Sequence, residues 1–258
     1  MKVVIFAGGL GTRISEETGT RPKPMVEIGG KPIIWHIMKI YSHYGYNDFI
    51  ICLGYKGYMI KEYFMNYFLH NSDIQIDLGN NNMEILGTRS EAFKVTLVDT
   101  GLNTKTAGRL QMIKKYIGNE DFMLTYGDGV SDVDINELVA YHNTNNKVAT
   151  VTSVQPDARF GGMDLSGDGT VLSFREKAKS DAQWINGGFF VLKPEIFDYL
   201  QDDMTNIMWE DGPMEQLTAD KQLMAYKHKG FWKCMDALRD KLELNDLWDT
   251  NKAPWKTW

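Results

Sequence analysis

Val3–Ala7 is a short apolar run, rich in β-branched residues, that stops at Gly8-Gly9. A strand covered on both faces reads this way, without alternation. Ile33, Ile34, Ile37, Ile40, Tyr41 and Tyr44 then recur at helical spacing. Pro32 suits the first turn of that helix and Gly45 its end. Asp48–Leu53 reads as a second buried strand and Gly57–Leu69 as a second helix. The alternation continues with strands at Lys94–Val98, Phe122–Tyr126 and Val148–Val154, and helices at Ala107–Ile117 and Ile135–His142. Strand and helix in turn predict an α/β fold with a doubly wound, mostly parallel sheet. From about Phe160 the texture changes. Short strand-like pieces (Gly162–Leu165, Thr170–Phe174, Gly188–Leu192) predict a smaller β-rich part, and Ala237–Trp248 reads as a closing helix. Leu10–Gly30 reads as a loop, and Gly79-Asn80-Asn81-Asn82 as a solvated turn.

Composition changes this picture little, but it narrows the class. The 258 residues are 43% hydrophobic and 24% charged, enough for a sizeable core, and carry a net charge of −6. A nucleic-acid binder usually has a basic surplus, so no nucleic-acid partner is expected. A polyphosphate ligand stays open, because a few cations can converge locally. Cys52 and Cys234 form no CxxC pair and read as reduced thiols. The apolar start is too short for a signal-peptide core, and no stretch approaches the ~20 apolar residues of a membrane span. A cytoplasmic protein with no membrane partner is expected.

The chemistry concentrates after the first strand, in Ala7-Gly8-Gly9-Leu10-Gly11-Thr12-Arg13. Glycines let backbone N–H groups approach a polyphosphate closely, and Arg13 adds a planar cation. A dinucleotide fingerprint would need glycine where Ile14 stands, and no Gly-Lys-Ser/Thr occurs, so this is a different phosphate loop. Lys23 follows, held between Pro22 and Pro24, whose rings restrict the backbone on either side. Asp128 lies between two glycines just past Phe122–Tyr126, at the sheet edge where α/β proteins bind ligands. Asp236 precedes a helix start, and by spacing alone it suits an N-cap. The five histidines are scattered, and no His/Cys cluster suggests zinc.

Gly8-Gly9-Leu10-Gly11-Thr12-Arg13 followed by Pro22-Lys23-Pro24-Met25 resembles the signature of nucleotidyltransferases that activate sugar 1-phosphates. Asp99-Thr100-Gly101, Thr106-Ala107-Gly108-Arg109-Leu110, Thr125-Tyr126-Gly127-Asp128-Gly129-Val130, Gly230-Phe231-Trp232, Met235 to Asp240 and the terminal Lys252 to Trp258 resemble the branch that takes CTP and glucose 1-phosphate. The resemblance spans essentially the whole chain. It implies a Rossmann-like nucleotidyltransferase fold in one domain, 1–258, with 1–155 mainly binding nucleotide and 156–258 mainly binding sugar phosphate and forming the C-terminal part.

The same resemblance assigns roles. It implies nucleotide contacts from Phe6, Ala7, Gly8, Gly9, Leu10, Gly11, Thr12, Thr104, Arg109 and Gly127, and catalytic charge from Arg13 and Lys23. Asp128 and Asp236 would share Mg²⁺, which takes few protein carboxylates and fills its shell with phosphate and water. Glu176, Lys177, Asn186 and Gly187 would hold the sugar phosphate. Two departures from the family pattern stand out: Ala178, where proline is common, and Ala107, where glycine is usual near the base. The expected partners are CTP, glucose 1-phosphate and pyrophosphate, and the resemblance suggests a homo-oligomer.

Overall fold

The computed structural model describes residues 1–156, 162–175, 183–200 and 203–258. Seven strands form the central sheet: β1 (Val3–Ala7), β2 (Asp48–Leu53), β3 (Lys94–Asp99), β4 (Phe122–Tyr126), β5 (Ala149–Val154), β6 (Ile185–Leu192) and β7 (Leu223–His228). Their order is β7-β5-β6-β4-β1-β2-β3. β1 pairs in parallel with β2 and with β4, and β2 pairs in parallel with β3. β6 alone reverses, antiparallel to both β4 and β5, while β5 and β7 are parallel. The expected mostly parallel α/β sheet is present.

Both faces are covered, which explains why the inner strands do not alternate. Along β1, Val3, Ile5 and Ala7 face one apolar cluster and Val4 and Phe6 the other. The first cluster receives α1 (Ile33–His43), α2 (Gly57–His70), α4 (Ile135–Asn145) and α6 (Leu238–Asp249) through residues such as Ile37, Ile60, Leu138 and Leu244. The second receives α3 (Thr106–Met112) and α5 (Pro213–Ala219) through Leu110 and Leu217.

Several elements differ from the sequence reading, among them strand β7 and helix α5, which it lacks. The helix expected over Ala107–Ile117 breaks at Ile113 into α3 and a short turn, Lys114–Ile117. The Leu10–Gly30 loop contains short helical turns at Thr12–Ile14, Ser15–Thr18 and Lys23–Met25, and one strand of a small ladder, Glu27–Ile28 against Lys31–Pro32. A further hairpin, Ser72–Asp77 with Asn82–Thr88, flanks the Gly79–Asn82 turn, where Asp77 accepts from the N–H groups of Gly79 and Asn80. Helix α1 forms where the helical spacing places it, with eight of its eleven residues buried. It carries His36 inward, against Trp35, Trp248 and Trp255.

Candidate active site

The C-terminal ends of β1 and β4, with the Leu102–Thr106 segment that follows β3, open onto one cavity of about 460 Å³. Its floor is the glycine loop: Phe6 through Arg13 all line it, as do Thr104, Arg109, Gly127, Lys23, Asp128 and Asp236. Residues expected from distant segments to serve the nucleotide are thus placed around one space. Gly8 and Gly9 differ in what they require. A Cβ on Gly8 would stand 2.1 Å from the Arg109 guanidinium, whereas one on Gly9 would meet nothing within 4 Å. Packing within the protein demands glycine at the first position, and at the second the open side faces the cavity.

Arg109 is buried, and its guanidinium donates to Leu53 O (2.9 Å), Thr100 Oγ1 (2.5 Å) and Gly8 O (3.1 Å). Burial pulls its pKa below the usual arginine value. It therefore braces the loop's carbonyl side while forming part of the cavity wall. Ala107 lies in the apolar core, with its N–H donated to Ile207 O, and its methyl is not part of that wall.

At the cavity mouth, charges meet. Lys23 Nζ lies 2.6 Å from Asp128 Oδ2 and 2.6 Å from Asp236 Oδ1, and Arg13 Nη1 lies 2.5 Å from Asp236 Oδ2. Burial opposes the lysine's charge, but the carboxylates beside it more than offset this, so its pKa is raised. For Asp236, burial pushes upward and the Lys23 hydrogen bond and charge, with Arg13, pull harder downward, so it stays ionised. Asp236 does not cap α6. That work falls to Asp240, whose carboxylate accepts from the N–H groups of Asp236 and Ala237 and leaves the Asp236 side chain free to face the cavity.

Asp128 and Asp236 are 108 residues apart in the chain, yet a short ladder joins their segments. Gly129–Ser131 pairs antiparallel with Trp232–Cys234, and Met235 N donates to Asp128 O at 2.9 Å. Ligand atoms of Asp128, Asp236 and Cys234 lie within 4.8 Å of one another. Burial first, then the Asp128 carboxylate, pushes the Cys234 thiol upward in the metal-free protein, and sulfur is in any case a soft donor beside two hard carboxylates. The donors left are two carboxylates already gathered around a cation. This set fits a hard, oxygen-seeking ion such as Mg²⁺.

A second space of about 240 Å³ adjoins the first and shares Arg13, Tyr126, Asp128 and Asp236 with it. Asn186 and Gly187 line it, with Thr125, Trp232 and Cys234. Asn186 Nδ2 donates to the Tyr126 hydroxyl (3.1 Å), Tyr126 donates to Glu210, and Trp232 Nε1 donates to Gly187 O (2.7 Å). Burial and Glu210 raise the Tyr126 pKa, so it acts as a neutral hydroxyl. Glu176, Lys177 and Ala178 lie outside the described residues. Sequence reasoning missed the paired Tyr126 and Glu210, and Met208, which lines the first cavity. Only Tyr126 carried a signal, as the residue immediately before Gly127-Asp128.

A sheet edge carrying a glycine-rich loop, with a lysine and two carboxylates between two adjoining spaces, defines a phosphate-handling group-transfer site. The chain belongs to the nucleotidyl transferase family, whose sequence model matches residues 2–251. It is similar to the glucose-1-phosphate cytidylyltransferase of Salmonella typhi, with 54% identity over 259 aligned residues covering 100% of both chains. It is more distantly similar to the mannose-1-phosphate guanylyltransferase catalytic subunit beta of Dictyostelium discoideum, at 26% identity over 90% of this chain and 60% of that one. Among solved structures, a UDP-glucose pyrophosphorylase complexed with UDP-glucose shares the fold, with a TM-score of 0.69 at 18% identity over 97% of this chain and 98% of that one.

Proposed function

We propose that the protein transfers the cytidylyl group of CTP to α-D-glucose 1-phosphate, giving CDP-glucose and pyrophosphate. The observation that carries this reading is the pair of adjoining spaces with one shared charged edge, Arg13, Asp128 and Asp236, beside Lys23. A transfer between two anionic substrates needs such an edge. The full-length similarity to a glucose-1-phosphate cytidylyltransferase supplies the base and the sugar.

No side-chain nucleophile is required, because the attacking oxygen of the sugar phosphate is already anionic. It attacks the α-phosphorus in line, and pyrophosphate leaves from the opposite side. The chain's contribution is position and charge. The loop from Gly8 to Thr12 cradles the triphosphate, Arg13 meets the β- and γ-phosphates, and Lys23 meets charge building on the α-phosphoryl group. Asn186 and Gly187 bound the sugar side, with Glu176 and Lys177 assigned there by family resemblance alone. Thr104, Arg109 and Gly127 shape the nucleotide side. Asp128 and Asp236 would hold Mg²⁺, which supplies Lewis-acid polarisation of phosphate oxygens. This divides the work between 1–155, mainly nucleotide, and 156–258, mainly sugar phosphate, with Asp236 crossing that division. Pyrophosphate release measured with each nucleoside triphosphate and glucose 1-phosphate tests the reading. CTP should be preferred over UTP, since a site that hydrogen-bonds one base edge rejects the wrong donor pattern. Equal rates would remove the cytidine assignment.

We also infer that copies of the chain associate and that the enzyme works in the cytoplasm. Among the described residues, the Ser72–Asp77 and Asn82–Thr88 hairpin pairs with no other strand. It exposes Ile76, Met83 and Leu86, with Leu78 at its tip 88% exposed. Exposed apolar groups on such an unpaired hairpin favour burial against a second copy. Sedimentation should show a multimer that Leu78→Lys with Leu86→Lys weakens, and a monomeric parent would end this idea. Among the described residues, no helix is long and apolar enough to cross a membrane.

A further inference from the structure

Two carboxylates this close repel unless a cation lies between them. Here Lys23 supplies it, at 2.6 Å from one oxygen of each. Arg13 holds the remaining oxygen of Asp236. The two cations differ in setting. The Arg13 side chain is 78% exposed and that of Lys23 only 12%. Lys23 therefore fills the space between Asp128 and Asp236 that a bridging metal ion would need. Its backbone is held by Pro22 and Pro24 and by the bonds Met25 N to Pro22 O and Val26 N to Lys23 O. Any exchange must come from the four-carbon side chain, a flexible stem with a compact charge.

We propose that Lys23 is a resident counter-cation that competes with the metal for Asp128 and Asp236, so that metal is accepted together with nucleotide and only weakly before it. The proposal rests on the reading of these two residues as the metal pair. Nucleotide phosphates offer Lys23 and Arg13 new anionic partners. Once the ammonium swings toward them, both carboxylates are free, and the phosphates complete the shell of a hard cation. Metal and nucleotide then raise each other's affinity by the same factor, because binding linkage is reciprocal. Lys23 has one role in the resting protein, neutralising the carboxylates, and another in the loaded protein, neutralising phosphate.

The test is Mn²⁺ binding to the nucleotide-free protein, followed by electron paramagnetic resonance. Parent, Lys23→Met, Lys23→Gln and Lys23→Met with Asp128→Asn are compared. Lys23→Met and Lys23→Gln should bind Mn²⁺ about tenfold or more tightly than the parent, within the usual range of coupling between sites. Mn²⁺ should also raise their melting temperatures more than the parent's. A non-hydrolysable CTP analogue should tighten Mn²⁺ binding in the parent and do so less in the variants. Equal or weaker Mn²⁺ binding in both lysine variants would overturn the competition while leaving the carboxylate pair as a metal site. Tight binding that survives Asp128→Asn would remove the metal pair itself, and the proposal with it.

Discussion

Arg109 on the inner wall and Arg13 at the mouth are the same side chain facing one cavity, yet their surroundings differ in kind. Arg109 is buried and spends its donors on neutral oxygens of Leu53, Thr100 and Gly8. Arg13 is exposed and pairs with a carboxylate that Lys23 also holds. A buried guanidinium cannot leave these oxygens without stranding its own donors away from water, at a cost of about 1–3 kcal/mol or more. A half-exposed ion pair contributes little to stability and can trade partners. The wall holds its shape, and the mouth is where charge can move.

The largest effect should come from the mouth. Asp128→Asn and Asp236→Asn should each lower kcat by ~10²-fold or more, as when a preorganised charge-stabilising group is lost. Lys23→Ala should fall in the same range, roughly 2.7–4 kcal/mol of transition-state stabilisation, mostly in kcat and less in KM. Lys23→Arg should not restore it, since a planar fork does not replace a point charge. Steady-state kinetics with both substrates, set beside urea unfolding, checks this. If an aspartate variant lost stability in proportion to activity, mouth and wall would belong to one class.

Next comes the closed interior behind the loop. His36 accepts from Trp255 Nε1, and its other ring nitrogen bonds Ile28 O. Burial holds its pKa down at about 4, against 6.5 for a free histidine. Between those values the unfolded chain takes up a proton that the folded chain refuses, so stability falls as pH drops from 6.5 towards 4. It is fully present above 6.5. The full contribution is about 3 kcal/mol. Urea unfolding of the parent and of His36→Gln across this window should show a slope in the first that is reduced in the second. Equal slopes would assign the acid sensitivity elsewhere.

Arg109→Met should be smaller again in stability, about 1–3 kcal/mol, because three buried hydrogen bonds are lost while Gly8 O and Leu53 O keep the N–H groups of Tyr55 and Thr100. Here KM for CTP should rise more than kcat falls, the reverse of Lys23→Ala. The finest division is between adjacent glycines. Gly8→Ala collides with Arg109 and should cost about 1–3 kcal/mol, as overpacking does. Gly9→Ala should leave stability within about 0.5 kcal/mol and be felt in CTP affinity. Thermal melts beside CTP titrations separate the two. A destabilised Gly9→Ala would show that the protein, not the ligand, needs that glycine.

How much of this was legible beforehand follows from how each feature is encoded. Val3–Ala7 and its glycine loop are contiguous, so their residue types sit together in the sequence and give the strand, the loop and Arg13 at once. Lys23 carried its own marker in the flanking prolines. Asp236 could be read two ways until the fold placed Asp240 under the backbone of α6. The contact of Tyr126 with Glu210 had no local signal, because 84 positions separate its ends and only the sheet brings them together. Strand β7 escapes a sequence reading because its apolar run, Leu223–Tyr226, is only four residues long, and at the sheet edge its residues are half-buried or exposed. The Ser72–Thr88 hairpin was missed although Ile74 and Ile76, and Met83 and Ile85, do alternate. Its central turn, at Gly79–Asn82, was recognised without its strands.

The ladder of Gly129–Ser131 with Trp232–Cys234 works as a caliper. It sets the gap between two carboxylates by backbone pairing across three residues, Cys234 opposite Gly129 and Trp232 opposite Ser131. The hundred or so positions of chain between them carry no part of that measurement. Insertions, deletions or a nick in the turn at Ser166–Thr170, which closes a separate two-stranded hairpin, therefore leave intact the spacing on which the metal pair depends. A fold built this way can change what it accepts while keeping the same bond-making geometry.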